Sequence, residues 1–206
     1  MKIVIVGGGT AGWLTALYLA KANVYNQQKN EIVVIESSKI GIIGAGEGTT
    51  GVFADVVNIK FKDCFKINEL DFLYNTEATL KLGIRFKDWN GIGTEYLSPI
   101  LPTDSNMANV DIDLLTSLIK GNYYDSSTTG YLMANGYSTF LANKNSSLNL
   151  HAYHFDAHKV GEYLKSKCIA NGVNTIDTEI NYLNKNSITG ELESVETNIG
   201  KINADF

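Results

Sequence analysis

The chain has 206 residues, a net charge of −5, 44% hydrophobic and 19% charged residues, a composition that excludes broad disorder, collagen-like repeats and coiled coil. A mildly acidic chain is a poor match for a phosphate backbone, so no nucleic-acid partner is expected. No run of about eighteen apolar residues occurs, so no spanning helix and no membrane partner are expected.

Lys2–Val6 is a short apolar run that reads as a buried parallel strand, broken by Gly7-Gly8-Gly9. From Thr10 a helical pattern follows, with Ala11, Leu14, Leu17 and Tyr18 on one face, fading near Ala22-Asn23. Glu31–Ile35 is a second β-branched run, completing a right-handed βαβ unit. The N-terminus lacks the long apolar core and cleavage site of a signal peptide, so the expectation is a cytoplasmic chain.

Ser37–Gly51 reads as a loop rich in Gly, Ile and Thr; Val52–Asn58 and Glu69–Asn75 read as helices. Ala78–Lys87 alternates, with Leu80, Leu82, Ile84 and Phe86 opposite Lys81, Gly83, Arg85 and Lys87, and predicts one half-buried strand. Pro99 and Pro102 mark an irregular passage, Val110–Lys120 has helical spacing, and Gly121–Leu150 is polar. Asp156 reads as the N-cap of a helix over Ala157–Ala170, closed by Asn171-Gly172. Thr175–Leu183, Ser194–Thr197 and Lys201–Asn203 read as strands.

Gly7-x-Gly9-x-x-Gly12 lies between a strand and a helix. In such a motif the first glycine permits the tight turn, the second lets a pyrophosphate approach the backbone, and the third lets helix and strand pack closely. The helix N-terminus adds free N–H groups and a positive dipole end. Glu36 ends the second strand, where a carboxylate can accept hydrogen bonds from ribose hydroxyls. A dinucleotide site is therefore expected. Gly44-Ala45-Gly46-Glu47-Gly48-Thr49-Thr50, a second glycine-rich loop, suits a flavin better than NAD.

At these residues the chain resembles the flavin-dependent tryptophan halogenases. Gly7-Gly8-Gly9-Thr10-Ala11-Gly12-Trp13 is similar to the family's opening, and Gly44-Ala45-Gly46-Glu47-Gly48-Thr49 to its G-V-G-E-A-T loop. Thr79-Leu80-Lys81-Leu82-Gly83-Ile84-Arg85-Phe86-Lys87-Asp88-Trp89 resembles the strand with the family's catalytic lysine. Ala152-Tyr153-His154-Phe155-Asp156-Ala157-His158 matches a further segment, and Ala204-Asp205-Phe206 the lead-in to a later strand.

The resemblance implies an α/β fold: a Rossmann-like FAD-binding domain of glutathione-reductase type, incomplete at the C-terminus, with a smaller inserted substrate-side region. The flavin part would comprise about 1–55 and 151–206, and the insert about 56–150. It implies FADH2, O2 and halide as co-reactants, and hypohalous acid that travels to Lys81 and chlorinates or brominates an electron-rich arene. Implied flavin contacts are Gly7, Gly8, Gly9, Thr10, Ala11 and Gly12, with Glu36 and Ser37 near the ribose, Gly48 near the ring and Ile180 near the adenine. Implied partners are a separate flavin reductase, a small aromatic substrate such as an indole, and a missing C-terminal half or second chain.

Departures accompany the match. The family's W-x-W-x-I-P signature and its halide site lie further along than residue 206. Ser98 stands where tryptophan-specific members carry a histidine, and Gly51 where the loop is followed by proline. The expectation is the N-terminal part of a halogenase-like protein. A flavin monooxygenase, or another FAD oxidoreductase, and a non-catalytic flavin-binding fragment are the competing readings.

His151, His154 and His158 lie close together around Asp156, but the capping role of Asp156 argues against a metal site, and none is expected. Cys64 and Cys168, outside any C-x-x-C, read as buried hydrophobes. Asp111 and Asp113 read as a helix start. Tyr123-Tyr124, Tyr131 and Tyr137 fit either an arene pocket or packing.

Overall fold

The computed structural model describes residues 1–27, 29–44, 46–100, 128–141, 146–147 and 151–205. The expected helix Val110–Lys120, the pair Asp111 and Asp113, Tyr123-Tyr124 and Pro102 lie outside them. Two compact units divide the chain, one of Met1–Ala45 with Asp156–Phe206 and one of Gly46–Phe155.

The first unit is built on a parallel βαβ. Strands Lys2–Val6 and Asn174–Asp177 flank Glu31–Glu36, with Ile3 opposite Ile32 and Asp177 opposite Glu36. Ile32, Val33, Val34 and Ile35 are all buried, as a central parallel strand requires. Lys2–Val6 is less enclosed than expected: Ile3 is buried, but Val6 is 57% exposed.

The helix Thr10–Tyr25 runs past the expected fading point, and the face it buries differs from the expected one. Trp13, Ala16, Leu17 and Ala20 are buried, whereas Ala11 and Tyr18 are exposed. The large indole of Trp13 sets this face, and 13, 16, 17 and 20 keep the i, i+3, i+4, i+7 spacing of a helical stripe. The helix Ala157–Ala170 packs against this helix. Asp156 caps it by accepting from the His158 and Lys159 N–H groups, and Gly172 follows it at φ +81°. Cys168 is buried there, its thiol donating to the Trp13 carbonyl at 3.4 Å.

The expected strand Thr175–Leu183 is two strands. Asn174–Asp177 joins the parallel sheet, and Ile180–Lys185 opens an antiparallel meander with Leu192–Thr197 and Gly200–Asn203. The break falls at Thr178-Glu179, after the Thr178 N–H has bonded the Glu36 carbonyl at 2.8 Å as the last rung beside the parallel pair.

In the second unit, Gly46–Gly48, Ala152–Asp156 and Thr79–Lys81 form a three-stranded sheet with Ala152–Asp156 central. Part of the expected Ser37–Gly51 loop is thus a strand. The expected single strand Ala78–Lys87 is also divided. Thr79–Lys81 pairs with Ala152–Asp156, while Gly83–Lys87 forms a hairpin with Glu95–Pro99. Leu82 is the hinge between them, its carbonyl taken by Ile100 N–H at 2.7 Å. The helix Gly51–Asp55 passes into a π-helical turn, Val56–Lys60, and Glu69–Thr76 is capped by Asn68. Phe53, Phe72, Tyr153 and Phe155 pack as an aromatic core with ring centroids 5.1–6.3 Å apart. Among the described residues no helix is long and apolar enough to cross a membrane.

Candidate functional site

In the first unit the glycine motif forms a cradle between strand and helix. Gly7 has φ +111°, a conformation that favours glycine, and its N–H bonds the Ile35 carbonyl at 2.9 Å. A Cβ on Gly12 would strike the Gly7 carbonyl, so this glycine lets helix and strand close up. A Cβ on Gly8 would overlap the Glu36 carboxylate, which lies over the loop. Gly9 faces open space and is the helix N-cap, with no side-chain cap and no acid in the first turn. Its carbonyl accepts from Trp13 at 3.1 Å. The N–H groups before Trp13 therefore have no intrahelical acceptor. The Thr10 hydroxyl is buried there with no partner. Free donors, an orphaned hydroxyl and an open approach suit a pyrophosphate.

Gly7, Gly8, Gly12 and Glu36 are thus brought together, with Gly9, Thr10 and Ala11 at the helix start. Ser37 opens the next turn, its carbonyl accepting from Gly41 at 2.9 Å. Ile180 stands at the start of the meander, opposite Thr197. Asp177 accepts from Ser38 N–H at 2.8 Å, a bond that holds its carboxyl below the usual range.

In the second unit Lys81 and Gly48 meet. Lys81 Nζ donates to the Thr49 carbonyl at 3.1 Å. A Cβ on Gly48 would lie 3.2 Å from Lys81 Nζ and 3.5 Å from His154 Nε2. The register sets Thr79 opposite His154 and Lys81 opposite Ala152, so ammonium and imidazole share one face of the sheet. Thr49 is fixed by Tyr153 from both sides: its N–H bonds the Tyr153 carbonyl and its Oγ1 accepts from Tyr153 N–H, both at 2.9 Å. Lys81 is half-buried and His154 exposed. A half-buried ammonium on a fixed carbonyl can offer its remaining N–H donors to a polar reactant.

Behind this face lies a polar cluster that sequence reasoning missed. Glu69 Oε1 is shared by His151 Nε2 at 2.6 Å and the Tyr153 hydroxyl at 2.8 Å, and Asn58 Nδ2 lies 3.1 Å from the same hydroxyl. Thr139 Oγ1 reaches His151 Nδ1 at 3.3 Å. Burial, then the Glu69 charge, raise the Tyr153 phenol above its ordinary value. The three histidines go to different places, His151 to this cluster, His154 beside Lys81, and His158 to the first turn of its helix. Glu69 and His151 are 82 residues apart, so nothing local announces the pair. The helix Asn68 caps and the strand after residue 151 were the available signals.

A cleft of about 530 Å³ runs along Thr79, Leu80 and Leu82, walled by Leu70, Leu73 and Phe140, with Tyr137 at its rim. Tyr137 and Tyr131, 6.4 Å apart, are both more than half exposed.

The tryptophan halogenase family model matches residues 2–206. Tryptophan 7-halogenase RebH of Lentzea aerocolonigenes is 28% identical over 225 aligned residues, covering 98% of this chain and 40% of that protein. The 7-chloro-L-tryptophan 6-halogenase KtzR of Kutzneria sp. (strain 744) is 44% identical over 97 residues, 47% of this chain and 17% of that protein. The crystal structure of tryptophan 6-halogenase SttH from Streptomyces toxytricini superposes with a TM-score of 0.78 at 29% identity, covering all of this chain and 40% of that one. The chain therefore shares the α/β fold of the halogenase structures and spans about two fifths of the relatives it matches end to end.

Proposed function

The chain belongs to the tryptophan halogenase family, and from that premise we propose that it carries the nucleotide-binding and lysine-bearing part of a flavin-dependent halogenase acting on an electron-rich arene of indole type. The observation that carries this reading is Lys81 on the Thr49 carbonyl, beside Gly48 and His154, in a loop similar to G-V-G-E-A-T. In this reading the domain is of glutathione-reductase type, continued by further chain or a second chain. Residues 1–55 and 151–206 serve the flavin and 56–150 the substrate side, in the cytoplasm.

Reduced flavin, supplied by a separate reductase, would reduce O2 to the peroxide level, and that oxygen would oxidise halide to hypohalous acid, leaving oxidised flavin and water. The protein's own groups do the rest. The Gly7–Gly12 loop and the helix start after it take the pyrophosphate, and Glu36 with Ser37 takes the ribose, while Gly48 leaves room for the ring and Ile180 lies on the adenine side. Lys81, tethered at Thr49, donates a hydrogen bond to hypohalous acid, or forms a haloamine from it with release of water, and so directs the halogen onto the arene in exchange for a ring proton.

The test is product mass. With reduced flavin, oxygen, bromide or chloride, an indole, and the further or second chain that completes the domain, the expected product gains one halogen in place of hydrogen, tracking the halide supplied. Lys81→Ala should keep flavin oxidation while lowering halogenated product by about 10²-fold or more. A product that gains oxygen whatever the halide would make the protein a monooxygenase. Bound flavin with no product would make it a flavin-binding chain without turnover.

A further inference from the structure

Glu36 is engaged from two directions. Its Oε1 is ion-paired to Lys165 Nζ, which reaches it from the helix Ala157–Ala170 across 129 residues of sequence. Its Oε2 lies over Gly8, where any Cβ would overlap it. The Lys165 side chain is 39% exposed. Its Nζ passes 6.0 Å from the ring centroid of Trp13, which is 1% exposed, and the Trp13 carbonyl takes the Cys168 thiol of the same helix. The lysine thus passes near the Trp13 ring before meeting the carboxylate, and the Glu36 side chain is 20% exposed.

A carboxylate beside a phosphate-binding loop carries an electrostatic conflict. It must accept from ribose hydroxyls while standing near a diphosphate of its own sign. A lysine on one oxygen balances the charge and leaves the other oxygen facing the loop. Asp177, opposite Glu36 in the sheet, accepts from Ser38 and also feels the Lys165 charge, which makes the ion pair to Lys165 the distinguishing contact of Glu36.

We infer that Lys165 is a positioning residue of the ribose subsite: it turns and neutralises Glu36 so that Oε2 accepts from the ribose hydroxyls of an adenosine diphosphate moiety. This rests on Gly7–Gly12 being a dinucleotide loop and goes beyond it by assigning a residue 129 positions away that selects for an intact ribose.

The probes are ADP and its 2′,3′-dideoxy analogue, with Kd measured by calorimetry on the unliganded protein. The wild type should prefer ADP by about tenfold or more, the scale of a hydrogen bond to a charged acceptor. Glu36→Gln and Lys165→Met should each bring that ratio close to one, and Lys165→Arg should restore it. A merely structural lysine would weaken both ligands alike and leave the ratio unchanged. An unchanged ratio in Lys165→Met, with Glu36→Gln still losing it, overturns the role of Lys165 and leaves the dinucleotide loop standing. Wild-type protein that binds neither ligand overturns the loop itself. If Lys165→Met does not fold, Lys165→Gln against Lys165→Arg reads the same ratio.

Discussion

Lys81 and Thr49 are joined by one hydrogen bond, Nζ to carbonyl at 3.1 Å, and Thr49 is clamped by both backbone polar groups of Tyr153. The ammonium is thus referenced to the sheet rather than to its own flexible stem. Gly48 leaves the space that this arrangement uses. Its backbone is not in the left-handed region, so alanine is conformationally acceptable, but the new methyl would sit 3.2 Å from both Lys81 Nζ and His154 Cδ2. The flexible lysine tip gives way first. Gly48→Ala should therefore keep its melting temperature or raise it slightly while releasing Lys81 from Thr49. Acylation of Lys81 by an amine-reactive ester, followed by peptide mass analysis, should speed up. Unchanged labelling would mean that Gly48 does not set the position of the lysine.

Tyr153 ties the same strand to the cluster behind it. Its hydroxyl sits on Glu69 and Asn58 while its ring packs on Phe72 at 5.1 Å. Tyr153→Phe keeps the ring and removes one donor to a buried carboxylate. The expected cost is about 1–3 kcal/mol, read as a lower urea midpoint with an unchanged slope. Glu69→Gln weakens the acceptor shared by His151 and Tyr153 and should lower the urea midpoint further than Tyr153→Phe does. A Glu69→Gln protein as stable as the wild type would show that the cluster contributes little to folding.

Local chemistry made parts of this structure legible in sequence. The glycine spacing, the acid at the end of Glu31–Glu36, and the Asp156 cap each depend on residues a few positions apart, and each is found where that chemistry places it. Alternation from Ala78 to Lys87 suggested one strand because periodicity does not show where hydrogen-bond partners change; Leu82 turns one ladder into another without breaking the pattern. The buried face of Thr10–Tyr25 was misjudged because Tyr18 and Trp13 compete on a helix with apolar residues all round, and packing chose Trp13. Glu69 with His151, and Glu36 with Lys165, are partners across 82 and 129 residues, and only the assembled sheet and helices bring them together.

Asp156 gives a pH prediction. The Lys159 and His158 N–H groups favour its ionised form and hold its carboxyl below the ordinary aspartate range. A depressed folded-state value means that the cap's contribution is present above about pH 3.9, the ordinary value, and is lost as pH falls through the lower folded one. The wild type should melt higher than Asp156→Ala at neutral pH, and the gap should narrow below about pH 4. Asp156→Asn, which still accepts a capping bond, should show a smaller deficit at neutral pH. A gap that stays constant from pH 7 to pH 3 would remove the charge from the account.

Burial pushes the Cys168 thiol up to about 12, so its thiolate is scarce at neutral pH. In a Cys64→Ser background, which isolates this thiol, a maleimide at pH 8 should label native protein far more slowly than protein in urea. The native rate should follow opening of the Ala157–Ala170 helix from Trp13 and rise in Cys64→Ser/Lys165→Met only if Lys165 helps hold that packing. Equal native and denatured rates would contradict the burial.

Gly9 and Gly12 separate folding from binding within one loop. A Cβ on Gly12 meets the Gly7 carbonyl, which is backbone and must shift, whereas a Cβ on Gly9 meets nothing. Gly12→Ala should therefore lose about 1–3 kcal/mol of stability, the usual scale of overpacking, and lose ADP binding with it, because the loop and helix start move together. Gly9→Ala should keep its melting temperature, since Gly9 has an extended φ of −84° that alanine adopts freely. Yet its methyl would project into the open approach to the free N–H groups and the Thr10 hydroxyl. ADP affinity should fall in Gly9→Ala with no change in stability. If affinity holds while the protein is intact, the phosphates do not approach over Gly9, and the cradle around Gly8 and Glu36 would have to be approached from another side.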